Sequence, residues 1–198
     1  DELCAKFLKL SKNSKRIKKK KNSKKFNLNF SEIIKKKLSF ELTNSQKKVL
    51  SDINSDLQSG KRMFRIIQGD VGSGKTIVSL LAIINTIKSG YQTALMSPTE
   101  ILAKQHYDLT NSIFKGTNIK TEFLTGKTEY KKKKEILSNI SNGKIDFLIG
   151  THALFQKKID FKQLGIIVID EQHKFGVSQR KALAEKGGDN CDVLLMSA

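Results

Sequence analysis

The chain has 198 residues, enough for one α/β domain with an appendage and too few for two large domains. Its 38% hydrophobic and 28% charged residues exclude a wholly disordered or fibrous chain, no apolar run approaches the ~18 residues of a membrane span, and the first residues read as lacking a signal-like apolar segment. The formal charge of +18 invites a nucleic-acid or acidic-membrane partner, yet only four of the 37 basic residues are arginines (Arg16, Arg62, Arg65 and Arg180). Such a lysine skew follows from genome composition as readily as from function, so charge alone leaves a solvated surface and a DNA-contacting one equally open. Cys4 and Cys191 have no zinc-binding spacing and fit free thiols in a reducing cytosol.

In "DELCAKFLKL", Leu3, Phe7, Leu8 and Leu10 fall at helical spacing behind acids that suit a helix N-terminus. "SKNSKRIKKKKNSKK" is almost devoid of apolar residues and reads as a flexible linker. A short helix capped at Ser31 follows in "FSEIIKKKL". Residues 1–42 thus form a helical, lysine-rich linker, and residues 43–198 a separate α/β unit.

From Thr43 the pattern is regular. Thr43 and Gln46 make a capping box, Val49, Leu50, Ile53 and Leu57 share one helical face, and Gly60 is the expected stop. "RMFRIIQ" predicts a strand, residues 75–89 a helix closed by Gly90, and "YQTALMS" a second strand with Pro98 opening the next helix. "IKTEFLT", "KIDFLIG", "LGIIVID" and "CDVLLMS" predict further strands, with helical stretches between most of them. Strand and helix in alternation, with apolar strands, predict a mostly parallel sheet covered by helices on both faces, with ligands at the carboxyl ends of its strands.

"GDVGSGKT" stands between a predicted strand and a predicted helix, the context in which G-x-x-x-x-G-K-[ST] binds phosphates. Gly69, Asp70, Val71, Gly72, Ser73, Gly74, Lys75 and Thr76 form the loop. Its glycines let backbone N–H groups turn inward at the start of a helix dipole, Lys75 reaches the β- and γ-phosphates, and the Thr76 hydroxyl suits Mg²⁺. A plain helix cap needs neither Lys75 nor Thr76. Asp170 ends the apolar run "IIVI", beside the phosphate loop if the sheet is ordered as in other P-loop proteins, where a carboxylate holds Mg²⁺ through water. Glu171, not tied to the metal, is then placed to orient and deprotonate the attacking water. Two acids capping the next helix are the alternative, which the phosphate loop disfavours.

"GDVGSGKT", "SPTEILAKQHY", "LTGK", "GTHALFQ", "VIDEQHKFGVSQR" and a final "LLMSA" occur in the order found in superfamily 2 helicases. From about Leu38 to Ala198 the chain resembles their RecA-like first motor lobe, most closely that of the bacterial RecG family of branched-DNA helicases. Repair-coupling translocases with the same motor typically carry Tyr at the position of Ser73 and Glu at that of Gln172. The resemblance implies an ATP-dependent DNA motor with ATP and Mg²⁺ as ligands, forked or branched duplex DNA as partner, a cytoplasmic location and a monomeric state. It implies that Gln46 reads adenine, in addition to or instead of its capping role. It implies that Thr99, Thr125, Gly126 and Thr151 face the DNA backbone, and that His173 couples hydrolysis to Ser197 and Ala198. His106 and His152 read as structural. The four lysines of "YKKKKEILSNI" read first as a solvated helix face, with DNA contact as the alternative.

The family pattern continues with Thr after Ser197 and Ala198, then a second lobe with an arginine that completes the ATP site, and it begins with a fork-binding wedge. The expectation is that these 198 residues alone bind nucleotide but scarcely hydrolyse it. Two other readings share the phosphate loop. One is the motor lobe of a repair-coupling translocase, and the other is a nucleotide-dependent binding module that does not hydrolyse ATP.

Overall fold

A computed structural model describes residues 21–25, 38, 40–155, 159–171 and 188–197. The helices predicted around residues 1–10 and at Ser31, the segment 172–187 with His173, and Ala198 lie outside the described residues.

Helix α1 (Asn44–Gln58) begins with the expected capping box, Thr43 accepting from the Gln46 N–H while the Gln46 side chain accepts from the Thr43 N–H. Reciprocal caps of this kind are worth about 1 kcal/mol. Leu50, Ile53 and Leu57 are buried on one face, and the helix closes at Ser59, whose N–H returns to the Asp56 carbonyl, one residue before Gly60. Strand β1 (Phe64–Gln68), helix α2 (Lys75–Lys88), strand β2 (Gln92–Met96) and helix α3 (Glu100–Phe114) follow. Pro98 precedes rather than opens α3, whose cap is Thr99. Strand β3 (Thr121–Leu124), helix α4 (Tyr130–Ser141), strand β4 (Phe147–Gly150), strand β5 (Leu164–Ile169) and strand β6 (Asp192–Ser197) complete the unit.

The six strands are ordered β1-β6-β5-β2-β4-β3 and every pairing is parallel. Side chains alternate between faces with period two. Ile166 and Val168 of β5 join a core with α1, α2 and α3, whereas Ile167 and Ile169 join a second core with Ile136 and Ile140 of α4. The central strands are therefore buried on both sides, as their unbroken apolar runs predict. The edge strand β1 differs: Phe64 and Ile66 are 66% and 44% exposed.

Segment 21–25, read from sequence as part of a flexible linker, is docked at the amino-terminal edge of the sheet. Its main chain donates from Lys21 to Gly60 and from Lys24 to Leu57. The Lys21 and Lys24 ammonium groups both bind Asp192 Oδ2 at 2.6 Å with fully buried side chains, while Asp192 Oδ1 accepts from the Met63 N–H. Carbonyls of Asp56, Leu57 and Asn190 take further ammonium protons, and Lys24 Nζ lies 5.0 Å from the Tyr91 ring centroid. Burial pushes the Lys21 ammonium below its ordinary value, against the pull of Asp192. Buried charge is tolerated only with this degree of hydrogen bonding. Lys21 is consequently not available to a DNA backbone.

Candidate active site

The strand ends are aligned. Leu124 pairs with Gly150, Gly150 with Met96, Met96 with Ile169, Ile169 with Leu195, and Gln68 with Ser197. The next residues in each strand (Thr125, Thr151, Ser97, Asp170 and Gly69) therefore emerge along one edge, the carboxyl edge where open α/β sheets bind ligands.

The sequence predicts Asp170 beside the phosphate loop if the sheet is ordered as in other P-loop proteins. In the sheet β6 lies between them, because β5 pairs with β6 and β2, and β6 pairs with β1. The Gly69 N–H donates to the Ser197 carbonyl at 3.3 Å, so Ser197 stands between loop and acids.

Within the loop Gly72 and Gly74 have φ of 83° and 82°, left-handed conformations that side chains disfavour. A Cβ at Gly74 would collide with Gln46 Nε2. That amide donates to the Ser73 carbonyl at 2.9 Å, which joins the cap of α1 to the loop. The Lys75 ammonium folds over the loop and donates to the Gly69 carbonyl and, at 2.8 Å, to that of Asp70. Thr76 stands in the first turn of α2. A cation held above a glycine-rich turn at a helix N-terminus is the donor set that fits a polyphosphate.

Asp170 continues the β5 ladder, its N–H donating to the Met96 carbonyl at 2.8 Å. Its carboxylate accepts at Oδ1 from the Glu171 N–H, 3.0 Å, and at Oδ2 from His106 Nε2, 2.8 Å. A carboxylate oxygen accepts more than one hydrogen bond, so both retain capacity for a metal-bound water. Glu171 has φ of 50°, the one left-handed non-glycine among the described residues. The conformation costs about 1 kcal/mol and collects at functional sites. His106, read as structural, is hydrogen-bonded to Asp170. No local signal marks it, since its partner is 64 residues away.

The four positions implied to face DNA lie on the same edge but differ in what they can offer. The Thr99 hydroxyl is engaged in capping α3 through the Leu102 N–H. Thr125 is buried and accepts from the Lys127 N–H; Gly126 is exposed. The Thr151 hydroxyl is buried with no hydrogen-bond partner. Glu100 ties the loops together: it binds Lys127 at 3.0 Å, and Lys127 first, with help from Thr125, holds its carboxyl below the usual value. On α4, Lys131, Lys132 and Lys134 are exposed while Ile136 and Ile140 are buried, as a solvated helix face requires. No helix among the described residues is long and apolar enough to cross a membrane.

The sequence is 50% identical over 165 residues to the ATP-dependent DNA helicase RecG of Streptococcus pneumoniae, covering 83% of this chain and 24% of that protein. It is 52% identical over 163 residues to RecG of Thermotoga maritima, covering 82% of this chain and 21% of that protein. The chain thus spans about a quarter or less of the length of these curated relatives. A solved structure of RecG bound to a three-way DNA junction superposes with a TM-score of 0.84 at 44% identity, over 95% of this chain and 25% of that one. The DEAD/DEAH box helicase family model matches residues 43–198, and the chain, a RecA-like lobe built on a parallel six-stranded sheet, belongs to that family.

Proposed function

We propose that the chain is the nucleotide-binding first motor lobe of an ATP-dependent DNA helicase of the RecG type, acting on branched or forked DNA in repair and recombination. The observation that carries this reading is the aligned carboxyl edge, where the phosphate loop, Ser197 and Asp170 follow one another across the neighbouring strands β1, β6 and β5, and Thr151 stands two strands further on, beyond Ser97 of β2. High identity to RecG proteins, one of them seen on a three-way junction, supports the substrate class.

On this reading Lys75 exchanges the Gly69 and Asp70 carbonyls for phosphate oxygens, and loop N–H groups other than those of Gly69 and Ser73, which are bound within the protein, supply the remaining donors. Gln46 stands against the loop at Ser73, where it can serve adenine while keeping its cap. Thr76 and Asp170 hold Mg²⁺, which when bound neutralises phosphate charge. Glu171 takes the proton of the attacking water. His173, with Ser197 and Ala198, couples hydrolysis to movement. Thr99, Thr125, Gly126 and Thr151 form the DNA track. Main-chain contacts to phosphates position a strand without reading its sequence, and of the four the exposed Gly126 is placed to make one, since the N–H groups of Thr125 and Thr151 are held by Thr128 Oγ1 and the Leu124 carbonyl.

The test is Glu171→Gln in the intact helicase. It should lower DNA-stimulated ATP turnover by at least about 100-fold while nucleotide still binds. Unchanged turnover would overturn the role given to Glu171, and the absence of any DNA-stimulated turnover in the unaltered helicase would point to a binding module instead.

A further inference from the structure

The hydrogen bond between His106 and Asp170 joins two elements that sequence reading kept apart. His106 lies two turns into α3, buried, with its side chain 9% exposed and that of Asp170 13% exposed. An ionised carboxylate only accepts, so Nε2 carries the proton and donates at 2.8 Å. The other carboxylate oxygen is held by the Glu171 N–H at 3.0 Å, a bond within the turn itself. Among the described residues, His106 is thus the side-chain donor that fixes the rotation of the Asp170 carboxylate from outside its own strand. A charge-assisted bond in a nearly dry site is stronger than one in water and defines direction as well as distance.

The location adds to the argument. Helix α3 is fixed at its start by the Thr99 cap. His106 is followed on the same helix by buried Thr110, Ile113 and Phe114, so its ring is carried on a well-packed element. A histidine held this rigidly contributes little adjustment of its own, which suits a group whose task is to aim another.

We propose that His106 is a positioning residue for the metal-binding acid: its Nε2–H sets the Asp170 carboxylate in the orientation that receives Mg²⁺ with the nucleotide. The proposal rests on the functional reading above, which assigns the metal to Asp170. Groups that orient a metal-binding side chain typically change metal affinity by ~10–100-fold when removed.

The experiment measures the affinity of the 198-residue chain for a fluorescent, non-hydrolysable ATP analogue across a range of Mg²⁺ concentrations and in EDTA. His106→Phe, similar in bulk but without a donor, should raise the Mg²⁺ needed for half-maximal affinity by ~10-fold and leave the affinity in EDTA unchanged. His106→Gln, whose amide can donate, should recover most of that loss. His106→Ala replaces the phenylalanine variant if thermal melting shows that it does not fold. Wild-type Mg²⁺ dependence in the donor-less variant would overturn the proposal. So would an equal loss with and without Mg²⁺, or a glutamine variant as defective as phenylalanine. Nucleotide binding that ignores Mg²⁺ in the wild-type chain would instead overturn the functional reading, and this one with it.

Discussion

The Gln46 side chain bridges the Thr43 N–H and the Ser73 carbonyl, accepting from the first and donating to the second at 2.9 Å each. One amide therefore serves a helix cap and the phosphate loop, and the two roles can be separated. Gln46→Glu keeps the acceptor and loses the donor. It should retain stability within ~0.5 kcal/mol, since Glu also completes a capping box, but bind nucleotide more weakly. Gln46→Ala should lose both, with about 1 kcal/mol of stability. Denaturant unfolding and calorimetric titration with ATP distinguish the two variants.

Gly74 is constrained by its φ of 82° and by the nearness of Gln46 Nε2. Gly74→Ala should cost about 1–2 kcal/mol for the left-handed backbone. The Gln46 amide is the movable partner and swings away, which also breaks its bond to Ser73. Weaker nucleotide binding together with a lowered melting temperature is expected; a melting temperature equal to the wild type contradicts the loop geometry.

Asp192 compensates two buried ammonium groups at 2.6 Å. Asp192→Ala leaves both without a counter-charge, and breaking a buried pair of this kind costs ~3–5 kcal/mol. The loss should be visible in urea unfolding. Reversal by the added change of both Lys21 and Lys24 to Met would establish that the buried charge causes it.

Burial pushes the Cys191 thiol up to about 12. The unfolded thiol ionises at its ordinary value of 9.0, so above that pH the unfolded state loses protons that the folded state keeps. The Cys191 contribution to stability is therefore fully present below pH 9 and declines as the pH rises towards 12. Cys191→Ala should flatten this decline in unfolding curves measured across that range. At pH 8 the folded thiol should resist iodoacetamide, with alkylation of its peptide, followed by mass spectrometry, tracking unfolding.

The strands were legible because each is an apolar run bounded by glycine, proline or polar residues. Their ends were not: "IKTEFLT" and "KIDFLIG" lose their first residues because Asp146 binds the Lys120 main chain, its carboxylate accepting from that N–H and its own N–H donating to that carbonyl. Pairing was not legible either. Nothing in "CDVLLMS" indicates that β6 inserts between β1 and β5, which sets Ser197 against Gly69. The phosphate loop could be read because its chemistry is contiguous in sequence. His106 could not, because a lone histidine on a helix acquires meaning only from a carboxylate contributed by another strand. Lys21 and Lys24 were lost in a lysine-rich run for the same reason, Asp192 being the residue that singles them out.

The central claim is that the loop from Gly69 to Thr76 binds the phosphates of ATP. Isothermal titration of ATP with Mg²⁺ into the 198-residue chain and into Lys75→Ala tests it directly. Lys75 donates its ammonium protons to loop carbonyls rather than to the core, so the variant should melt like the wild type. Its affinity should fall by ~100-fold, the worth of one or two hydrogen bonds to a charged group. Undiminished affinity in a folded Lys75→Ala chain would contradict the account.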